Sequence, residues 1–167
     1  PFDVAPIIPV LRSHPFNDPD WLFEPRYDGF RGLVYLADGT CLIRSKRGSA
    51  FKRFASLSEA LPRELNVKNA ILDGEVLALD KAGQPHFTDL LTGPTALAYA
   101  AFDLLWLNGR DLRNRPLTKR KAELAKLIPA PGAQVFKVIT IDERGWDLFE
   151  AVQRTDFEGI VAKRKSD

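Results

Sequence analysis

Eight residues, Glu24-Pro25-Arg26-Tyr27-Asp28-Gly29-Phe30-Arg31, separate two strand-like runs and constrain this chain more than any other stretch. Trp21-Leu22-Phe23 before them is apolar and aromatic, and the run from Phe30 to Leu36 follows. Asp28-Gly29 breaks the pattern where a turn is needed, and glycine is free to take positive φ. Two cations, Arg26 and Arg31, and two acids, Glu24 and Asp28, crowd the same octet. A turn requires no such density of alternating charge. A site that grips a polyphosphate beside a base and a sugar does.

The 167 residues suffice for one domain with a real core, or one domain with an appendage. With 24 basic and 22 acidic residues the net charge is +2, so the overall balance does not mark a nucleic-acid partner. Local clusters are more informative: Arg44, Lys46, Arg47, Lys52 and Arg53; the run from Arg110 to Lys121; and Lys163-Arg164-Lys165. Any one of them reads as a solvated face. Three of them beside phosphate-type motifs point to a nucleic-acid backbone. The single cysteine, Cys41, forms no internal disulfide and reads as a small core residue of a protein from a reducing compartment. No apolar run approaches membrane-spanning length, and there is no signal peptide. The chain has no methionine, even at position 1, and reads as a fragment, a processed form or a chain with its start removed. His14 and His86 sit in proline-flanked loops without a second His or Cys nearby, so neither is assigned a metal.

Residues 1–20 hold four prolines in the first fifteen positions and read as an extended lead-in across a domain spanning 21–167. Trp21 to Arg26 predicts a strand. Phe30 to Ala37 and Thr40 to Arg44 predict a hairpin around Asp38-Gly39. Ser56 to Leu65 predicts a short helix with Ser56 as its cap, weakened by Pro62. Ala70 to Asp80 and Ala98 to Leu107 predict buried strands. Thr118 to Ile128 predicts a helix with Leu124, Leu127 and Ile128 on its apolar stripe. Gln134 to Ile141 predicts one strand, Glu143 to Arg154 a helix burying Trp146, Phe149 and Val152, and Gly159 to Lys163 a last strand. Strands outnumber helices and the Asp-Gly and Asn-Gly turns favour antiparallel pairing. The expected fold class is α+β, with two packed, mostly antiparallel β-sheets and peripheral helices.

Three further stretches place chemistry inside apolar strands. Asp73-Gly74-Glu75 interrupts a buried run, and two buried carboxylates cost several kcal/mol each unless paired with cations or metal. A bulge at a sheet edge is the plainer reading. Phe102, in Ala101-Phe102-Asp103-Leu104-Leu105-Trp106, reads by itself as a core residue of a strand; Asp103 is free to anchor a loop. Glu158-Gly159-Ile160-Val161-Ala162-Lys163 is either an ordinary edge strand or a carboxylate and an amine carried side by side.

Taken together and in this order, these stretches resemble the covalent nucleotidyltransferases: ATP-dependent DNA ligases, RNA ligases and capping guanylyltransferases. The octet resembles their Lys-x-Asp-Gly-x-Arg motif, matching at Asp28, Gly29 and Arg31. Trp-x-Phe-Glu-Pro, Tyr-Asp-Gly-Phe-Arg, the run from Phe102 to Leu112 and Glu-Gly-Ile-Val-Ala-Lys-Arg are most similar to the ligase domains of bacterial non-homologous end-joining ligases. The resemblance covers nearly the whole chain. It implies the ATP-grasp-like adenylation fold, ATP (AMP) as nucleotide and Mg²⁺ or Mn²⁺ as metal. It also implies nicked or broken duplex DNA as partner, with end-joining proteins beside it in the bacterial cytoplasm, at the nucleoid. It implies roles for single residues as well: Glu24 receives the adenine amino group, since a carboxylate needs a donor and guanine offers only an acceptor at its 6-position. Phe102 stacks on the base. Glu75 meets the ribose and the metal, Glu158 meets the metal, Lys163 lies near the α-phosphate, and Lys46, where the family has Arg, contacts phosphate or ribose.

The chain departs from the pattern at two places. Arg26 stands where the family has its Lys nucleophile. A Lys must lose a proton to attack the α-phosphate; a guanidinium has delocalised lone pairs and binds phosphate without forming a phosphoramidate. The chain also ends at Asp167, ahead of the family's triphosphate-binding Lys-x-Lys strand and oligonucleotide-binding barrel, as in a degenerate or truncated relative. The expectations are a DNA ligase adenylation domain unable to self-adenylate, or a non-catalytic nucleotide- or DNA-end-binding module on the same fold. An RNA ligase-like nucleotidyltransferase is a further alternative.

Overall fold

The structure is a computed structural model that describes residues 3–51, 54–85, 96–155 and 157–167. His86, Lys52 and Arg53 lie outside the described residues. Nine strands and three helices are seen among those described. They are β1 (Asn17–Arg26), β2 (Phe30–Ala37), β3 (Thr40–Ser45), α1 (Ala55–Glu64), β4 (Asn69–Leu79), β5 (Ala96–Leu107) and β6 (Arg110–Asp111), then α2 (Leu117–Leu127), β7 (Val135–Lys137), β8 (Ile141–Arg144), α3 (Gly145–Gln153) and β9 (Gly159–Arg164).

Two sheets form, as expected for the α+β class. The larger has the order β3-β2-β4-β5-β6, with β7 added to β5; the smaller has the order β8-β1-β9. Every pairing is antiparallel except β5 with β7, where Tyr99, Ala100 and Ala101 run parallel to Val135, Phe136 and Lys137. The period of two decides the faces of β2. Val34 and Leu36 join the core under α1, with Leu57, Leu61, Leu72 and Leu104. Leu33 and Tyr35 face the opposite side with Ile71, covered by Val4 of the N-terminal segment. In the smaller sheet Phe23 is wholly buried against Leu148 and Val152 of α3.

The octet does not form a hairpin. β1 and β2 belong to different sheets, and Gly29 has no positive φ. Its need is space: a Cβ there would collide with the Val76 carbonyl of β4. The two-residue turn chemistry lies elsewhere, at Asp38-Gly39 (φ 51° and 78°) and Asn108-Gly109 (φ 46° and 84°), which close β2–β3 and β5–β6.

Four local expectations need correction. β1 starts earlier than Trp21, at Asn17. Helix α1 starts at Ala55 after Phe54, with no side-chain cap, so Ser56 lies inside its first turn. The entry is set instead by packing of Phe54 against Phe51 and Phe30. The single strand from Gln134 to Ile141 is two short strands, because Val135–Lys137 extends the large sheet while Ile141 already pairs with Phe23 of the small one. Helix α3 begins at Gly145, and its buried stripe is Gly145, Leu148 and Val152, leaving Trp146 exposed. The helix phase is fixed by Phe16 and Phe23, which press so closely on Gly145 that no side chain fits there.

Candidate functional site

Glu24 sits near the C-terminal end of β1, paired across to Val161 of β9, and its carboxylate is buried. Three donors converge on it. Lys121 of α2 and Thr140, the residue before β8, both donate to Oε2, the hydroxyl at 3.1 Å. Lys163 of β9 brings its ammonium to 2.5 Å from Oε1. Burial alone would push the Glu24 carboxyl up; the Lys163 and Lys121 charges outweigh it and hold the group below the usual range. Lys121, its side chain 12% exposed, also donates to the Phe102 carbonyl. Burial, helped by the nearby Lys163 charge and opposed by Glu24, brings the Lys121 ammonium down to about 8.

Phe102 lies on β5 beside this network. The Lys163 ammonium stands 4.0 Å from its ring centroid and the Arg31 guanidinium 5.5 Å. Arg31 is held by a two-point contact with Asp73, Nε to Oδ1 at 3.0 Å and Nη2 to Oδ2 at 2.6 Å, and by the Ile7 carbonyl at Nη1. Burial raises the Asp73 carboxyl, and Arg31 works against that rise. Asp73 and Gly74 flank an irregularity in the β4–β5 register, so the bulge read from the sequence exists, but in an interior strand. Gly74 is required there because the Tyr99 ring and the Ala100 carbonyl fill the place of a side chain.

Glu75 lies opposite Arg31 on the β2–β4 ladder. Burial pushes its carboxyl up to about 7, against the attraction of Arg31, a backbone N–H from Gly29 and Arg26. Arg26, at the end of β1, pairs with Gly159 and accepts the Glu158 N–H at its carbonyl, 3.0 Å. That pairing sets the two side chains together, with Arg26 Nε 3.2 Å from Glu158 Oε2. Both are about half exposed, 53% and 44%.

Ion pairs, ring contacts and strand pairing thus link Glu24, Lys163, Phe102, Arg31 and Glu75 in one run of neighbours, with the Arg26–Glu158 pair beside it at the end of β1. Asp28 is an exposed bend residue outside this network of contacts. Lys46 is on the exposed Ser45–Gly48 turn and lines a groove of about 160 Å³ with Asp3–Pro6, Leu33 and Tyr35. Among the described residues no group of three or more His, Cys, Asp or Glu side chains is placed to hold a metal. The two carboxylates implied as metal ligands, Glu75 and Glu158, both feel the Arg26 guanidinium, which ion-pairs with Glu158. In this arrangement they do not fit a divalent ion.

Lys121 and Thr140 are the members that sequence reasoning missed; Asp73, read as a buried carboxylate in need of a cation, has Arg31 as that cation. Lys121 was grouped with a basic run, yet it continues the helical spacing Leu117, Lys121, Leu124, Ile128, an amine at a core position. Asp103 anchors α2 rather than a loop. It takes Arg120 at two points, 2.9 and 3.1 Å, and Arg120 reaches on to the carbonyls of Arg115 and Asp167.

No helix among the described residues is long and apolar enough to cross a membrane. Residues 10–167 match the family model of the ATP dependent DNA ligase domain. The multifunctional non-homologous end joining protein LigD of Mycolicibacterium smegmatis is 32% identical over 167 residues, covering 98% of this chain and 22% of that protein. The structure of a mycobacterial DNA ligase D complexed with ATP and MES aligns with TM-score 0.88 at 29% identity, over 99% of this chain and 56% of that one. The ligase domain of Mycobacterium tuberculosis LigD aligns with TM-score 0.78 at 30% identity, over 91% and 51%. The chain therefore spans about a fifth of the LigD relative's length and about half of the solved ligase chains. By its sequence, its two-sheet architecture and the order of its motifs, the chain belongs to the ATP-dependent DNA ligase domain family.

Proposed function

We propose that this domain binds ATP or AMP by its base, as part of a ligase-type protein acting at nicked or broken duplex DNA, but does not take AMP covalently. The observation that carries the reading is the contrast within one site. Lys163 joins the Glu24 carboxylate to the Phe102 ring, the two groups suited to an adenine, while the nucleophile position holds Arg26, engaged with Glu158. A guanidinium offers no lone pair for attack on phosphorus, so Arg26 serves as a fixed positive charge for phosphate. Glu24 and Phe102 act on the base, Arg31, Lys46 and Lys163 on phosphate or ribose, and Asp28 and Gly29 shape the approach from β1 to β2. End-joining proteins at the bacterial nucleoid are the proposed company, by analogy with the names of the LigD relatives.

The test is intact-mass spectrometry after incubation with ATP and Mg²⁺ or Mn²⁺. No AMP-sized gain is expected on the chain itself. Arg26→Lys restores an amine of the right type, and a gain is expected there. An adduct on the unaltered chain would refute the assignment of Arg26 as a disabled nucleophile position.

A further inference from the structure

Glu24 is buried with its two oxygens treated differently. Oε2 receives directed hydrogen bonds from Lys121 and Thr140. Among the described residues Oε1 has a single partner, the Lys163 ammonium at 2.5 Å, and that side chain is 22% exposed. An oxygen held by one partly exposed ammonium is the one that a ligand's N–H donor can take over. That oxygen is on the Phe102 side, because the ammonium beside it stands 4.0 Å from the Phe102 ring centroid.

We propose that Lys121 and Thr140 are positioning residues for base recognition, locking Oε2 so that Oε1 alone is offered to an exocyclic amino group of a purine stacked on Phe102. The inference rests on the nucleotide-binding reading above. Lys163 stands in for the ligand's donor in the free protein. A base with an N–H donor at its edge takes over Oε1 and releases the ammonium towards the nucleotide's phosphates, where its charge is again matched. Lys121 is not free to make that exchange, since it is less exposed than Lys163, 12% against 22%, and also tied to the Phe102 carbonyl. Tethering to that carbonyl fixes the distance between the acceptor and the stacking ring.

The experiment is calorimetric titration with ATP and with purine riboside 5′-triphosphate, which lacks only the amino group. The parent is expected to prefer ATP by about tenfold or more, the effect of one buried charge-assisted hydrogen bond. Lys121→Met is expected to bring the two affinities within about threefold while leaving purine riboside triphosphate binding in place, and Lys121→Arg to restore the preference. A merely structural role would weaken both nucleotides together. Circular dichroism checks folding; should Lys121→Met not fold, Thr140→Val decides, with the preference expected to fall at least about threefold. Equal binding of both nucleotides by the parent, or an unchanged preference in the folded variants, overturns this inference alone. Binding of neither nucleotide overturns the reading on which it rests.

Discussion

The two ends of the site are built differently. At the Glu24 end, Glu24, Lys121 and Lys163 come together from three elements, β1, α2 and β9, and each charge has an opposite charge at contact distance. At the other end, Arg26 and Glu158 pair across the end of the β1–β9 ladder, half in solvent. The comparison teaches where a substitution is tolerated. Changing one member of the buried network leaves uncompensated charge in the core; changing Arg26 disturbs only an exposed pair. A fold can therefore keep its buried charge network while an exposed pair at the strand end drifts.

The strongest way to break this contrast is Glu24→Ala, which leaves two ammoniums facing each other. Denaturant unfolding is expected to show a loss of about 3–5 kcal/mol; a loss below about 1 kcal/mol would mean the network is not the structural unit described. Next is pH. Glu75 is raised from 4.5 to about 7, so the folded chain holds its proton more tightly than the unfolded chain. The stability from that proton is fully present below about 4.5 and is lost as pH rises through about 7. Between pH 5 and 8 the parent should lose roughly 1–3 kcal/mol more than Glu75→Gln. Parallel stability curves for the two chains would remove Glu75 as the source. Phe102→Ala should weaken ATP binding by roughly 1–3 kcal/mol in calorimetry, if the ring carries the base. Equal affinities would return Phe102 to a packing role. Smallest is Arg26→Ala, with an expected change in folding stability of about 0–1 kcal/mol. A larger loss would show that the exposed end is as structural as the buried one.

Much of this arrangement was legible in the sequence because local chemistry dictated it. The Asp38-Gly39 turn fixed one hairpin, and the apolar runs of β4 and β5 could only be interior strands. The charges at Glu24, Arg31, Glu75, Glu158 and Lys163 stood out because apolar strands do not carry charge without cause. What was hidden depends on distant partners. That Arg31 is held by Asp73, and Glu24 by Lys121, follows from strand register and helix placement. That Gly29 serves close approach rather than a turn depends on where Val76 lies in the finished sheet. The caps and phases of α1 and α3 were misread for the same reason: Phe54 and Phe23 override the local signals of Ser56 and Trp146.

The pairing of β1 with β8 and β9 has a kinetic consequence. Trp21 meets Arg164 and Phe23 meets Ile141, residues from opposite ends of the chain, whereas β2 and β3 meet across a two-residue turn. Closing the small sheet confines almost the whole chain at once, and that entropy is recovered only after β9 has docked. The large sheet can nucleate from its hairpin, with the small sheet condensing on it late. During synthesis, Glu24 and Lys121 leave the ribosome before Lys163, so the buried network gains its third charge only once β9 has docked.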